Sequence, residues 1–165
     1  MWAVIKIDIK KISTLKKDFF DKLGSDVEFY MPKLRLKKYI KSKIYLKEVN
    51  LLGNYLLCFH KDLANKSVLS TLKNSKGLKY ILNNFSSSQI EIQSFINKCK
   101  ENEDKEGYIK QNFFNFKSYG KYKFISGPFT NLIFTIINEN NFTIKALMGN
   151  YKISVSKEQN LFRPV

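Results

Sequence analysis

The sequence predicts an α+β protein of two domains, an N-terminal antiparallel sheet covered by helices and a small C-terminal β-barrel. Three observations lead to this fold class. Helix-type and strand-type apolar periodicities alternate over residues 1–100, strand-type periodicity dominates residues 117–165, and a polar interval with four acidic residues separates them. The length of 165 residues suits two small domains. We therefore expect domains at 1–100 and 117–165, joined by a flexible acidic linker at 101–116.

The N-terminal domain begins with a strand and a helix. Apolar residues alternate over positions 2–9, which predicts a strand with one buried face. From position 12 to position 23 they recur every three or four residues, which predicts a helix. Ser13 or Thr14 can cap the start of this helix, and Gly24 ends it.

The rest of this domain alternates between short strands and helices. The predicted elements are a strand at 27–31, a strand at 51–59, a short helix at 68–72, a strand at 80–82 and a helix at 89–99 that the capping box Ser88–Glu91 begins. Between the first two of these lies a basic stretch, residues 33–47, which is either a β-hairpin arm or a mobile loop.

The C-terminal third reads as antiparallel strands joined by tight turns. Strand-type runs at 133–137, 142–148 and 151–155 are separated by the turn sequences at 138–141 and 149–150. The residues expected on the buried faces are Phe142, Ile144 and Ala146 in one strand and Tyr151, Ile153 and Val155 in the next. Because β-branched and aromatic residues with period two oppose a helix, we expect a barrel in the free protein.

A corner precedes these strands. Gly127 and Pro128 restrict the backbone to a turn, and Phe129 follows them directly. We expect this corner to display the Phe129 ring to solvent, although an ordinary turn in a small barrel would have the same sequence.

The charge is strongly basic. There are 29 Lys and Arg residues against 14 Asp and Glu residues, a net charge of +15, which favours polyanionic surroundings such as nucleic acid or a complex that holds it. A genome whose codons favour lysine would give a similar count, and this alternative has nearly equal weight. Residues 33–47 contain seven basic residues and no acidic one.

Nothing in the sequence predicts catalysis, a metal site or a cofactor. Cys58 and Cys99 are the only cysteines, each within an apolar pattern typical of a core, and His60 is the only histidine. No catalytic triad, phosphate-binding loop or carboxylate pair stands out. No signal peptide or membrane-length apolar run is present, so we expect a cytoplasmic protein that acts by binding and makes no membrane contact.

Several short motifs together resemble those of one family. They are Trp2-Ala3-Val4, Phe29-Tyr30-Met31-Pro32-Lys33, Leu52-Gly53-Asn54-Tyr55-Leu56, Lys76-Gly77-Leu78 and Gly127-Pro128-Phe129. In this order and at these separations they resemble the NusG family of transcription elongation factors, which joins a ferredoxin-like N-terminal (NGN) domain to an SH3-like C-terminal (KOW) domain. In the KOW motif the family carries glycine where this chain has Phe134, and glycine or another small residue where it has Asn131. The chain also departs from the family pattern at Gly53, where the family carries proline, and at Asp8-Ile9-Lys10-Lys11, which replaces the family's larger loop residues and the glutamate that opens its first helix. These departures suggest a divergent paralogue, and Asn54 is the variant seen in RfaH, a specialised member.

The resemblance implies a monomeric transcription factor with two partners. The NGN domain would bind the clamp helices of RNA polymerase and favour processive elongation or antitermination, and the KOW domain would recruit ribosomal protein uS10 or the termination factor Rho. Carried over by position, the polymerase-binding residues would be Tyr55, Leu57 and Lys76, and the partner-binding residues would be Gly127, Pro128 and Phe129. Leu57 could equally belong to the sheet core, and Lys76 to a solvated turn.

The basic arm could follow the phosphates of DNA or RNA in the elongation complex, or it could be a solvated loop. Its candidate contacts are Lys33, Arg35, Lys37, Lys38, Tyr39 and Lys41. A second class of function stays open, an RNA-binding or ribosome-associated KOW protein that makes no polymerase contact.

Overall fold

The computed structural model describes residues 1–40, 43–110, 113–114, 116–125, 127–140, 142–157 and 160–165, with the backbone alone at 37–40 and 44. Its strands are β1 (Trp2–Ile7), β2 (Glu28–Tyr30), β3 (Lys33–Ile40), β4 (Lys43–Asn50), β5 (Tyr55–Phe59), β6 (Leu78–Ile81), β7 (Lys121–Phe124), β8 (Ile133–Glu139), β9 (Thr143–Met148), β10 (Tyr151–Ser156) and β11 (Phe162–Pro164). Its α-helices are α1 (Ile12–Leu23), α2 (Lys66–Lys73) and α3 (Gln89–Glu101). None of the helices in these ranges is long and apolar enough to cross a membrane.

The chain divides into two compact units. The first contains Met1–Pro32 and Asn50–Lys98, and the second contains Lys33–Val49 and Cys99–Val165. The hairpin of β3 and β4 therefore groups with the C-terminal part of the chain, whereas the sequence had placed it within the N-terminal domain. The sequence left open whether the basic stretch is a β-hairpin arm or a mobile loop. Its described residues form two paired strands, so it is a β-hairpin arm.

The first unit is a four-stranded antiparallel sheet in the order β2-β5-β1-β6. One face of β1 buries Ala3, Ile5 and Ile7, and α1 and α2 supply Leu15, Phe19 and Leu72 to the same core. On the opposite face, Trp2 and Leu57 pack with Ile96 of α3. Helices thus cover both faces, as a sheet with apolar residues on each side requires.

The start of α1 differs from its prediction, and the end agrees. The Asp8 carboxylate accepts a hydrogen bond from the Lys10 N–H at 3.1 Å and begins a 3-10 turn that continues into the helix. Ser13 and Thr14 therefore lie inside the helix and do not cap it. Gly24 ends it with a φ of +90° and an N–H that donates to the Phe20 carbonyl.

The C-terminal part of the second unit is a five-stranded antiparallel sheet in the order β10-β9-β8-β7-β11. The last strand lies beside the first, which is the strand order of an SH3-like barrel. All five strands contribute to one core, which consists of Tyr122, Phe124, Phe134, Ile136, Ile144, Ala146, Val155 and Phe162. The predicted fold class is confirmed, and the region from 133 to 156 consists of strands and turns and contains no helix among its described residues.

Two residues expected in this core lie outside it. Phe142 is 71% exposed and precedes β9, where its N–H donates to the Asn140 side chain in a turn. Tyr151 is 75% exposed and pairs with Met148 at the end of the β9–β10 hairpin. Alternation assigned both rings to the buried face, but each lies at a strand end where that face does not continue.

Both cysteines are buried, as their apolar neighbours predicted. Burial raises the pKa of the Cys58 thiol to about 12, so this thiol stays protonated and belongs to the core. Among the described residues, no group of three or more His, Cys, Asp or Glu side chains could hold a metal ion.

Candidate partner-binding sites

A row of polar and aromatic side chains crosses the sheet of the first unit. In the strand register Lys6 of β1 lies opposite Tyr55 of β5 on one side and Tyr80 of β6 on the other. The Lys6 ammonium lies 4.1 Å from the centroid of the Tyr55 ring, and the two tyrosine oxygens are 3.1 Å apart. Tyr80 is 47% exposed and Tyr55 is partly exposed, so the row forms a surface.

The contacts within this row shift both phenol groups. The hydrogen bond with Tyr80, followed by that with Lys6, lowers the pKa of Tyr55, whereas the hydrogen bond with Tyr55 raises the pKa of Tyr80. Either hydroxyl group can be the donor in the hydrogen bond between the two tyrosines. The row thus holds the Tyr55 ring in one orientation between a cation and a second phenol.

Leu57, two residues further along β5, is not part of this surface. It is 2% exposed and packs with Trp2 and Ile96 between the sheet and α3. The prediction that its side chain lines a partner-binding pocket is therefore corrected: Leu57 belongs to the core. Leu57 and Tyr55 lie on the same face of the sheet, but α3 packs over Leu57.

The turn before Tyr55 explains one departure from the family pattern. Gly53 has a φ of +62°, and its N–H donates to the Asn50 carbonyl at 3.1 Å. Proline is fixed near a φ of −65° and has no N–H, so it could not occupy this turn as it stands. The turn delivers the chain into β5 with Tyr55 as the first residue of the strand.

Lys76 stands on a second constrained turn. The Lys76 N–H donates to the Asp18 carboxylate of α1 at 2.9 Å, while its side chain is exposed. Gly77 has a φ of +89°, and a Cβ at this position would lie 2.9 Å from the Lys11 Cβ. Glycine is thus required by the backbone angle and by the space, and the turn presents Lys76 at a fixed position on the surface.

The barrel corner holds its phenylalanine inward. Gly127 is buried with a φ of +83°, and Pro128 is exposed. Phe129 is only partly exposed and packs on Phe124, with ring centroids 5.6 Å apart. The expectation of a displayed ring is corrected, because the corner turns the ring onto the end of the barrel core.

Two apolar residues that the sequence did not single out are exposed beside this corner. Leu132 is 46% exposed and Ile133 is 51% exposed. The chain turns between Phe129 and Leu132, whose N–H donates to the Phe129 carbonyl at 3.0 Å, and Asn131 has a φ of +75°. Asn131 is tolerated here because asparagine adopts the left-handed conformation more readily than most residues. Only the turn geometry identifies Leu132 and Ile133 as the exposed apolar part of the corner.

The basic arm meets acidic partners from its own unit. Lys33 forms an ion pair with Glu48 at 3.2 Å, and Arg35 forms one with Glu106. The Arg35 guanidinium also stacks on the Tyr108 ring, 3.9 Å from its centroid, and the Tyr108 hydroxyl donates to Glu48. These two candidate nucleic-acid contacts are therefore already engaged by carboxylates.

The acidic side of these contacts is a compact turn at residues 104–108. The Asp104 carboxylate accepts hydrogen bonds from the N–H groups of Glu106 and Tyr108, at 2.9 and 3.0 Å. Directly after the turn, the N–H of Ile109 donates to the Lys33 carbonyl at 2.8 Å, and Ile109 is 3% exposed. This part of the interval predicted as a flexible linker is thus bonded to the arm.

Electrostatics match this geometry. The hydrogen bond with Glu106 raises the pKa of Arg35, and the Arg35 guanidinium lowers the pKa of the Glu106 carboxyl. The hydrogen bond from Tyr108, followed by that from Lys33, lowers the pKa of Glu48. These shifts of pKa favour the charged forms of Arg35, Glu106 and Glu48 at neutral pH.

The structure describes no side chain for the other candidate contacts of the arm. Lys37, Lys38 and Tyr39 lie on β3, and only their backbone is described. Lys41 lies outside the described residues.

The strand orders and helix placements above define an α+β protein with a helix-covered sheet followed by a barrel-type sheet. Two solved structures are similar to it. A chain from the crystal structure of the MjSpt4:Spt5 complex, conformation B, is 12% identical, with 100% of this chain and 98% of that chain covered and a TM-score of 0.33. A structure concerned with domain interaction in Thermotoga maritima NusG is 11% identical, with 99% and 96% covered and a TM-score of 0.35. No family model and no curated protein sequence matches the chain.

Proposed function

We propose that this protein is a NusG-like transcription factor that binds RNA polymerase through its first unit and a second factor through its barrel. One observation carries the proposal. A helix-covered sheet and a sheet in SH3-like strand order follow one another along the chain, each with a family-like motif on a surface turn, at 52–56 and 127–129. Neither motif is specific alone, but consistency of motif, order and architecture favours a common origin.

The polymerase-binding surface in this proposal is the row of Lys6, Tyr55 and Tyr80. An aromatic ring that is partly exposed and held by its neighbours loses little conformational freedom when a partner covers it. Leu57 supports the strand from within the core, and Lys76 adds a cation on a turn of the same unit. The expected partner is the clamp-helix region of the polymerase, and the expected effect is more processive elongation or antitermination.

The second partner would dock at the corner of the barrel. The exposed apolar surface consists of Pro128, Leu132 and Ile133. Phe129 stabilises the corner by packing on Phe124. The candidates are ribosomal protein uS10 and Rho. The protein would act as a monomer in the cytoplasm, by binding and without catalysis, as a divergent paralogue of the general elongation factor.

Pull-down of RNA polymerase by the tagged full-length protein tests the proposal. Wild type should retain polymerase, and Tyr55→Ala should weaken retention by about tenfold or more, as loss of a central aromatic contact does. Tyr151→Ala is the matched control, because it removes an exposed tyrosine from the barrel. Failure of the wild-type protein to bind polymerase would refute the proposal, and equal binding by wild type and Tyr55→Ala would remove Tyr55 from the surface.

The second candidate is an RNA-binding or ribosome-associated KOW protein. The charge of the barrel favours it, since residues 117–165 contain seven basic residues and two acidic ones. Co-sedimentation with ribosomes without polymerase retention would support this candidate over the first.

A further inference from the structure

A groove lies between α2 and the turn that follows β6 in the first unit. Its floor is apolar and consists of three partly buried residues that pack on the core beneath α1 and α2, namely Leu69, Ile81 and Phe85. Its rim consists of exposed polar side chains, Lys66, Ser70 and Lys73 of α2 and Asn83 and Asn84 of the turn. The cavity has a volume of about 320 Å³, which is enough for one large apolar side chain of a ligand.

This groove is on the face of the sheet opposite to the row of Lys6, Tyr55 and Tyr80. In the strand register Ile81 lies opposite Ile5, whereas Tyr80 lies opposite Lys6. Because neighbouring residues of a strand point to opposite faces, Ile81 faces the layer of α1 and α2 while Tyr80 faces away from it. The groove is therefore separate from the surface that we propose for polymerase.

The turn opposite α2 is fixed by hydrogen bonds of its own. The N–H of Leu82 donates to the Val4 carbonyl at 2.9 Å, which continues the pairing of β6 with β1. Asn84 has a φ of +63°, and its carbonyl accepts hydrogen bonds from the N–H and the hydroxyl of Ser87, at 3.2 and 2.9 Å. Both walls of the groove are thus formed without a ligand, and this lowers the cost of ordering when one binds.

The segment that forms the groove carries only positive charge. Residues 63–90 contain four lysines and no acidic residue. The ammonium groups of Lys66 and Lys73 form no ion pair with any residue that the structure describes. A cationic rim above an apolar floor favours an anionic ligand with an apolar part.

The spacing of the two lysines indicates two separate anionic groups. Seven residues of helix rise about 10.5 Å, so Lys66 and Lys73 lie two turns apart on one face of α2, with Leu69 and Ser70 between them. A single anion could meet both ammonium groups only by covering the groove, whereas two carboxylates pair with them at its ends and leave it open. In an extended peptide, acidic residues three or four positions apart span about 10–13 Å.

The other polar groups of the rim suit a peptide. The side-chain amides of Asn83 and Asn84 form no hydrogen bond with a described residue, and each offers the donor and the acceptor that a peptide backbone needs. Single-stranded nucleic acid would instead need several aromatic rings for its bases, and Phe85 is the one aromatic residue among the described residues that line the groove.

From this arrangement we propose that the groove between α2 and the turn after β6 binds an acidic peptide segment of a partner protein. Two carboxylates of the peptide pair with Lys66 and Lys73, an apolar side chain between them enters the cavity, and the two asparagines bond its backbone. This binding does not depend on the proposed contact with polymerase.

Fluorescence anisotropy with the full-length protein tests the proposal. The probe is a labelled synthetic peptide with one leucine between two pairs of aspartates, and a second peptide has serine in place of the leucine. Wild type should bind the leucine peptide about tenfold more tightly, because serine leaves the apolar floor uncovered. Lys66→Gln/Lys73→Gln should weaken binding of the leucine peptide roughly three- to thirtyfold, as loss of two exposed ion pairs does.

A second variant fills the groove without changing a charge. Ser70 is exposed on the face of α2 that lines the groove, so the indole of Ser70→Trp should cover Leu69. The affinity of this variant for the leucine peptide should fall to that for the serine peptide. Because the substituted positions are exposed, the far-ultraviolet circular dichroism of both variants should stay that of wild type.

Lys121→Gln/Lys152→Gln is the matched control, because it removes the same number of charges from exposed positions of the barrel and should leave peptide affinity nearly unchanged. Absence of binding by the wild type, equal affinity of the wild type for the two peptides, or equal losses in the two double variants would overturn the proposal. An oligouridine of the same net charge that displaces the probe at a lower concentration than the unlabelled peptide would also overturn it, since the groove would then be a nucleic-acid site.

Discussion

The guanidinium of Arg35 stacks on the ring of Tyr108, 3.9 Å from its centroid, while its charge is paired with Glu106. This one side chain ties the acidic turn at 104–108 to the basic arm. The same turn is fixed by its own Asp104 carboxylate and by the backbone bond from Ile109 to Lys33. The segment between the predicted domains is therefore ordered from 103 to 110 by charge as well as by backbone pairing.

Loss of the Glu106 charge should loosen this turn. In Glu106→Gln the ion pair with Arg35 is lost, and the amide hydrogen of Ile109 should exchange about two- to fivefold faster, since an exposed pair contributes modestly to local stability. Hydrogen exchange of the full-length protein measures this. Glu101→Gln, an exposed change in the same interval, should leave the exchange of Ile109 as in wild type. Equal exchange in Glu106→Gln and wild type would show that backbone pairing alone holds the turn.

Low pH should loosen the turn at 104–108, as Glu106→Gln does. The pKa values of Asp104 and Glu106 are lowered, by the N–H of Tyr108 and by Arg35 respectively. A lowered carboxyl pKa means that stabilisation is fully present above the ordinary values of about 3.9 and 4.3, and is lost as pH falls through the lower folded values. After correction for the intrinsic exchange rate, protection of Ile109 should decline below about pH 4. Glu106→Gln should show a smaller decline, and an identical decline in the variant would exclude Glu106 as a titrating group.

The elements that follow from local sequence agree with the structure. The spacing from Ile12 to Leu23 and the stop at Gly24 give α1 its bounds, because apolar periodicity and a left-handed glycine act within a few residues. β11 escaped prediction, since Phe162 is the only large apolar residue in a three-residue strand. Its pairing with β7 is a long-range event that no local pattern encodes.

The site residues depended on contacts that the sequence does not contain. Arg35 and Glu106 are 71 positions apart, and no periodicity says which charges meet over that distance. Leu57 and Tyr55 lie on one face of β5, but α3 covers Leu57 and leaves Tyr55 partly exposed. The motif indicated β5 as a whole, whereas the burial of each side chain shows that Tyr55 is partly exposed and Leu57 is not.

Leu57 should accordingly affect stability and not partner specificity. Leu57→Ala removes a side chain that is 2% exposed, so the free energy of unfolding should fall by about 2–5 kcal/mol. Thermal unfolding measures this change. At a temperature where the variant remains folded, its retention of polymerase should equal that of wild type. Reduced retention by a fully folded Leu57→Ala protein would return this residue to the binding surface.

At the barrel corner, too, one residue stabilises the fold and another is exposed to a partner. Phe129 packs on Phe124, so Phe129→Ala should lower the stability of the barrel, by less than the roughly 3–5 kcal/mol of a fully buried ring. Leu132 is 46% exposed, so Leu132→Ala should leave the melting temperature nearly unchanged. If a partner covers this corner, burial of the Leu132 side chain contributes about 1–2 kcal/mol to binding, and Leu132→Ala should weaken binding roughly five- to thirtyfold.

Titration of the full-length protein against ribosomal protein uS10 and against Rho distinguishes these roles. Leu147→Ala is the matched control, because it truncates another exposed leucine on the outer face of the same barrel. A loss of affinity in Leu132→Ala but not in Leu147→Ala would assign the partner to the corner. Equal affinities in wild type and Leu132→Ala would remove the corner from the interface, and the absence of binding to both proteins would refute the second half of the proposed function.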